Sequence, residues 1–202
     1  MSNVVALESL APDRGAQAPR RLKALSRGLV LLFTLMLVLA ALNLIAAIVI
    51  GLFFSDYVLM TPSSAGFFIG PGGSPPLPQA GAVRLSDLPR ITHLAGIADI
   101  AIALAPMAFI VWHLRKLFGL YAAGTVFGRA NATHLRHVGF GLIAYPFARF
   151  AANLVFRTAG GTDHAWFRPG FIWVPLGGLI IVAIAWVMEF GRDIEEEKDS
   201  FI

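Results

Sequence analysis

Two ionisable residues, Asp99 and Arg149, interrupt long apolar stretches of this chain. An ionisable residue in the middle of a membrane costs about 2.5 to 3.5 kcal/mol on insertion scales, so each of these residues needs a partner or a function. Asp99 lies eight residues after Ile91, and Arg149 lies eight residues before Arg157. If the two stretches cross a membrane in opposite directions, both side chains lie at about the same depth. We therefore expect them to form an ion pair.

Two interpretations of this pair remain open in the sequence, besides the case in which the two residues do not meet. In the first, the pair is structural and fixes the register of two packed helices. In the second, it lines a polar cavity for an ion, a proton or a small anion, as in a small transporter or an ion-conducting oligomer. The candidates for that cavity are the polar residues of the apolar stretches: Asp99, Arg149, Asn153, Tyr145 and Asn43. For Asn43 alone, an interhelical hydrogen bond is the simpler expectation.

No residue pattern indicates a catalytic centre. The sequence shows no Ser/His/Asp arrangement, no paired carboxylates and no glycine-rich phosphate loop, so we expect neither an enzyme nor a cofactor. The chain has no cysteine, which excludes disulfides and thiolate metal sites. His113, His134 and His137 can approach one another, but His134 and His137 are only an i, i+3 pair. A metal needs ligands that converge on one point, so we expect no metal site.

Composition indicates an integral membrane protein. Hydrophobic residues make up 57% of the chain and charged residues only 14%, which lies outside the range of soluble domains. Lys and Arg exceed Asp and Glu by 16 to 12, but the arginines lie at the ends of apolar stretches, where they specify topology. The expected partner is therefore the lipid bilayer and not nucleic acid, and a homo-oligomer is compatible with this composition.

Four apolar stretches position the candidate residues, at about residues 28–54, 91–114, 138–157 and 171–190. Each is long enough to cross a bilayer as a helix. The predicted fold is an all-α integral membrane four-helix bundle in residues 27–202, with a long central hairpin made of the second and third helices. Residues 1–26 predict a disordered basic tail. Residues 55–90 are rich in Gly, Pro and Ser, and predict an external loop without a helix.

The distribution of basic residues predicts the orientation. Eleven Lys and Arg fall in the two terminal segments and the hairpin tip, against four in the two other loops. Because basic residues are enriched on the cytoplasmic side, both termini and the tip are expected in the cytoplasm. The central hairpin would then protrude from the membrane into the cytoplasm.

Two segments resemble a known family. The pattern Gly124-x-x-Phe127-x-x-x-Asn131-x-x-x-Leu135-Arg136-x-x-Gly139 follows the second stretch, and Gly191-x-x-Ile194-x-Glu196-Glu197-x-Asp199 lies near the end of the chain. Both resemble the bacterial membrane family catalogued as domain of unknown function 2975, over about residues 28–202. The resemblance implies four transmembrane helices, a bacterial inner-membrane location and no established activity. Some members are similar in gene context to membrane proteins encoded beside small helix-turn-helix regulators, which suggests such a regulator as partner.

The leading functional hypothesis is a non-enzymatic membrane protein that docks a cytoplasmic regulator. The motif residues concentrate at the hairpin tip and in the acidic tail, on the side expected to be cytoplasmic. The docking candidates are Phe127, Arg129, Asn131, Arg136, Glu196, Glu197 and Asp199.

Overall fold

The computed structural model describes residues 20–61, 64–67, 69, 73–74, 82–125, 128–160 and 170–199. Four long helices dominate it: α1 (Arg20–Phe53), α2 (Arg90–Ala123), α3 (Arg129–Thr158) and α4 (Gly170–Asp199). Three short strands lie between α1 and α2: β1 (Val58–Thr61), β2 (Ser64–Phe67) and β3 (Val83–Arg84). The prediction of a mainly helical chain with four long helices is confirmed.

All four helices contain a segment that is long and apolar enough to cross a membrane. These segments are Arg21–Phe53, Arg90–Ala123, Arg129–Thr158 and Phe171–Gly191. A helix rises about 1.5 Å per residue, so roughly 20 apolar residues span a bilayer core. Since α2 and α3 have 34 and 30 residues, each is longer than one crossing requires. The helices can therefore extend beyond the apolar layer at one or both ends.

The helices pack in chain order. Among the described residues, extensive contacts join α1 to α2, α2 to α3 and α3 to α4, and no comparable contact joins α1 to α4. The arrangement is thus a series of consecutive pairs in which α1 and α4 each have one principal neighbour. Consequently a broad apolar surface of α1 is exposed, including Leu31, Leu35 and Leu39.

Glycines allow α3 and α4 to approach closely. A Cβ added at Gly139 would lie 2.8 Å from the carbonyl oxygen of Gly178, and one added at Gly178 would lie 2.7 Å from the carbonyl oxygen of Gly139. Side chains other than hydrogen cannot fit at such distances. Small residues permit close backbone contact between membrane helices, and here they bring the middle of α3 against α4.

A small antiparallel sheet occupies the segment expected to be an extended loop. Strand β1 is central, with Val58 opposite Phe67 on β2 and Leu59 opposite Arg84 on β3. Single turns of 3-10 helix, Ser55–Tyr57 and Leu85–Asp87, flank it. Val58 and Leu85 are buried and pack with Ile50, Leu88 and Phe156, so the sheet lies against the ends of α1 and α3. The segment contains more order than its breaker residues predicted.

The start of α1 also differs from expectation. Helix α1 begins at Arg20, eight residues before the expected Gly28, so the last residues of the predicted tail are helical. The rest of that tail lies outside the described residues. Helix α2 begins at Arg90, directly after Pro89 and one residue before the apolar stretch expected from residue 91.

Candidate functional site

The turn between α2 and α3 is closed by a glycine. Gly124 adopts φ +99° directly after α2, a left-handed conformation that glycine accepts without steric cost. The Gly124 amide donates to the Tyr121 carbonyl at 3.0 Å, and the Thr125 amide donates to the Leu120 carbonyl at 3.0 Å. This pair of bonds satisfies two carbonyls at the helix end in a Schellman motif. Gly124 thereby ends α2.

The buried side chain of Asn131 is hydrogen-bonded to the turn between α2 and α3. Its side chain is 0% exposed, and Nδ2 donates to the Thr125 carbonyl at 2.8 Å. The Oδ1 atom is buried and has no hydrogen-bond partner among the described residues. Since no surface of this side chain is available to a partner protein, we remove Asn131 from the docking candidates. It joins the first turn of α3 to the end of the preceding turn.

Basic side chains from three helices collect at this end of the molecule. Arg21 and Arg27 on α1, Lys116 on α2 and Arg129 on α3 are exposed. Lys23 adjoins the turn, because a Cβ added at Gly124 would lie 3.5 Å from its Nζ. A cation at this place complements the negative end of the α2 dipole. We call these four exposed residues, together with Lys23, the basic end.

Arg136 is engaged in an ion pair. Its Nη1 lies 3.5 Å from Oε2 of Glu189 on α4, with the two side chains 34% and 36% exposed. The pair joins α3 to α4 and leaves Arg136 only partly available to a partner. Sequence analysis did not identify Glu189, although an acidic residue near the end of an apolar helix indicates a nearby cation.

The remaining docking candidates are described incompletely. Phe127 lies outside the described residues. Glu196, Glu197 and Asp199 lie in the last turns of α4, while their side chains lie outside the described part of the structure. Because Glu189 already adjoins the second turn of α3, the continuation of α4 to Asp199 brings this acidic segment to the same end as the hairpin tip.

Asp99 and Arg149 meet between α2 and α3. Arg149 Nη1 lies 3.4 Å from Asp99 Oδ2, as the matched distances from the helix ends predicted. The Arg149 side chain is 35% exposed and that of Asp99 is 20% exposed, so the pair is not sealed inside the protein. Asn153, one turn after Arg149, is buried. The contact joins α2 to α3 about 13 Å from the sheet end of α2.

The other cavity candidates do not join the pair. The ring of Tyr145 packs edge-on against Phe171 of α4, with the centroids 6.2 Å apart. Asn43 is exposed on α1. An apolar groove between α1 and α2, with Met36 and Met107 in its walls, includes neither member of the ion pair. The structure therefore supports the interhelical pair, and it does not assemble the five candidates into one cavity.

Three histidines converge in the half of the molecule nearer the tip. His113 Nδ1 lies 3.1 Å from His134 Nδ1, and the rings of His113 and His137 stack at 4.5 Å with an interplanar angle of 4°. His137 Nδ1 donates to the Thr133 carbonyl at 2.7 Å. Nitrogen lone pairs lie in the ring plane, so two parallel stacked rings cannot direct theirs at one ion. Within the described residues, no group of three or more ligands could hold a metal.

A tryptophan ring and two cations lie together in the half of α2 nearer the tip. Lys116 Nζ lies 5.1 Å from the centre of the Trp112 ring, and Arg115 lies 5.6 Å from it. Arg115 also donates to the Thr34 hydroxyl on α1 at 2.9 Å. Tryptophan beside basic residues is typical of the boundary between hydrocarbon and water. Beyond Lys116, α2 continues for seven residues, from Leu117 to Ala123, or about 10 Å.

Comparison with known proteins identifies a family and no closer relative. The model of the family described as protein of unknown function (DUF2975) matches residues 59–202. The match includes α2, α3, α4 and both sequence motifs, and it begins within β1. The expected match from residue 28 was therefore too long, because α1 lies outside it. No curated protein and no solved structure matches the chain.

Proposed function

This chain belongs to the DUF2975 family, whose function is unknown, and on that premise we propose that it is a multi-pass inner-membrane protein that binds a cytoplasmic regulator at its basic end. The observation that carries the proposal is the convergence of exposed cations from α1, α2 and α3 around the hairpin turn. A cluster of one charge sign attracts a partner surface of the opposite sign and accelerates encounter.

Orientation is the first part of the proposal. Basic residues beside membrane spans favour the cytoplasmic side, and the start of α1 and the end of α4 lie at the same end of the helices as the tip. Trp112 beside its two cations is typical of a membrane boundary, and α2 continues for about 10 Å beyond Lys116. Both observations support a hairpin that extends beyond the apolar layer. A protruding rigid hairpin presents Arg129 away from lipid headgroups, where a soluble protein can reach it.

The kind of partner is the second part. The family resemblance suggests a small helix-turn-helix regulator, and the basic end requires that regulator to carry an acidic patch. In this proposal the membrane protein holds the regulator at the membrane and away from DNA. The acidic residues Glu196, Glu197 and Asp199 belong to the last turns of α4, at the same end as the tip, and in this proposal they form part of the docking surface.

Within this proposal the Asp99–Arg149 pair is a structural clamp. Its side chains are 20% and 35% exposed, and Tyr145 and Asn43 point to other surroundings, so the proposed polar pathway lacks its lining. The arrangement of these residues therefore does not favour the transport alternative. The pair, together with the Arg136–Glu189 pair, fixes how α3 sits between its two neighbours.

A charge-reversal experiment tests the proposal. We expect the Arg27→Glu, Arg129→Glu double variant to lose at least about tenfold of its bound acidic partner, because each lost cation weakens attraction and each new carboxylate adds repulsion. The readout is affinity capture of the full chain from detergent-solubilised membranes, with the bound proteins quantified. Arg136 is left unchanged, since reversing it would also break its contact with Glu189.

The matched control reverses two arginines at the opposite end. Arg90 and Arg157 are exposed, so the Arg90→Glu, Arg157→Glu variant carries the same change in net charge. We expect it to keep the partner. If every protein captured by the parent chain remains bound to both variants equally, the basic end is not a docking surface.

A further inference from the structure

Asn43 is a polar residue on the exposed side of an apolar helix. It lies fifteen residues after Gly28 and eleven residues before Phe54, near the middle of the apolar run of α1. Its side chain is exposed, and within the described part of the chain it has no hydrogen-bond partner. A primary amide that faces hydrocarbon without a hydrogen bond is costly, and it is too short to reach the headgroups.

Asn43 continues a stripe of exposed residues on α1. Leu39 lies one turn before it and Met36 two turns before it, which is the spacing of one helix face. Leu39 is 55% exposed and Met36 is 41% exposed. Both line the apolar groove between α1 and α2, opposite Leu104 and Met107. The stripe therefore combines an apolar groove with an amide at one end.

This face has no occupant within the described residues. Helix α1 packs extensively on α2 alone, and Asn43 lies to one side of that contact. A lipid chain could fill the apolar groove, but it offers no donor or acceptor to the amide. A different protein would have to present a polar side chain at this depth of the membrane.

A second copy of the chain satisfies the amide by symmetry. Two copies that are inserted in the same orientation are related by a twofold axis normal to the membrane, so a residue near the axis faces its own equivalent at the same depth. An Asn side chain has both a donor and an acceptor, and two of them form reciprocal hydrogen bonds. Asn side chains across membrane helices stabilise association in this way.

We propose that two copies of this chain dimerise through α1, along the stripe Met36, Leu39 and Asn43, with the two Asn43 amides hydrogen-bonded to each other. The dimer does not depend on the proposed docking function, because its contact surface lies within the apolar layer and not at the basic end. It places two basic ends side by side and offers a regulator two equivalent contacts.

Disulfide crosslinking tests the contact, since the chain has no cysteine of its own. In the Leu39→Cys variant, oxidation in native membranes is expected to give a covalent dimer on a non-reducing gel. The matched control is Ile45→Cys. Ile45 is 56% exposed, yet it lies only two residues from Asn43 and about 200° around the helix from it. We expect the control to remain monomeric.

A second variant tests the amide itself. Adding Asn43→Leu to Leu39→Cys should lower the yield of crosslinked dimer about threefold to tenfold, the effect of one interhelical hydrogen bond. Leucine is apolar and the position is exposed, so the folded yield in detergent should equal that of the parent. Absence of a Leu39→Cys crosslink, equal crosslinking of Ile45→Cys, or an unchanged yield with Asn43→Leu would each overturn the proposal. The first of these would indicate that lipid or another protein covers the groove.

Discussion

At the scale of single residues, sequence spacing predicts the contact between Asp99 and Arg149 but not the surroundings of the other polar candidates. Asp99 and Arg149 were expected to meet because each lies eight residues from the outer end of its helix, and their atoms lie 3.4 Å apart. In an antiparallel hairpin, equal distances from the ends mean equal depth, so the argument needs no tertiary information. Tyr145 and Asn43 were grouped with the pair as polar residues of the apolar stretches. Spacing does not reveal which neighbouring helix a given face meets.

Asn131 illustrates a second limit at this scale. It belongs to the motif at the hairpin tip, on the side expected to be cytoplasmic, so the sequence suggested a docking role. The left-handed turn at Gly124 instead folds the Thr125 carbonyl back toward α3, where Asn131 donates to it at 2.8 Å. Burial of this side chain depends on the path of the turn, and local sequence patterns do not specify that path.

A charge swap measures the role of the Asp99–Arg149 pair. The Asp99→Arg and Arg149→Asp variants are each expected to lose about 1 to 3 kcal/mol of the free energy of unfolding, because two like charges then face each other in a partly desolvated site. The double variant restores an ion pair of reversed polarity and should recover most of the loss. The measurement is thermal or denaturant unfolding in detergent. Single variants as stable as the parent would show that the pair is not a clamp.

At the scale of elements, the hairpin was predictable and the sheet was not. Gly124 ends α2, and the first turns of α3 that follow are polar. The local sequence therefore predicts where both helices meet the turn. Pairing of Leu59 with Arg84 instead joins residues that are far apart in sequence. The Gly and Pro residues between them predict breaks, but they do not predict which flanking segments pair. The early start of α1 was missed because its first turns are basic rather than apolar.

The contact between α3 and α4 provides a test at this scale. Gly178 lies against the backbone of Gly139, whereas a Cβ added at the adjacent Gly177 would meet nothing within 4 Å. Gly178→Ala should therefore destabilise the protein by about 1 to 3 kcal/mol, through forced separation of the helices. Gly177→Ala is the matched control and should change stability by less than about 1 kcal/mol, in the stabilising direction, because alanine favours helix. Equal effects of the two substitutions on unfolding in detergent would contradict the close packing.

At the scale of the whole molecule, composition predicted the number of helices but not their order of packing. Apolar stretches specify membrane spans, because each must satisfy its own backbone hydrogen bonds. Which helices are neighbours depends on small-residue contacts such as Gly139 with Gly178, and on pairs such as Arg136 with Glu189. The sequence predicted a bundle, and the structure shows extensive packing between consecutive helices, with α1 at one edge. That exposed edge is where the proposed dimer forms.

The location of the basic end is the claim on which the proposed function depends, and topology labelling tests it most directly. In the cysteine-free chain, Thr125→Cys places one thiol at the hairpin tip, and Asp56→Cys places one beside the small sheet at the opposite end; both positions are exposed. With a membrane-impermeant thiol reagent, the account predicts that Asp56→Cys is labelled in intact cells and that Thr125→Cys is labelled only in inside-out membrane vesicles. Labelling of Thr125→Cys in intact cells would place the basic end outside the cytoplasm and contradict the account.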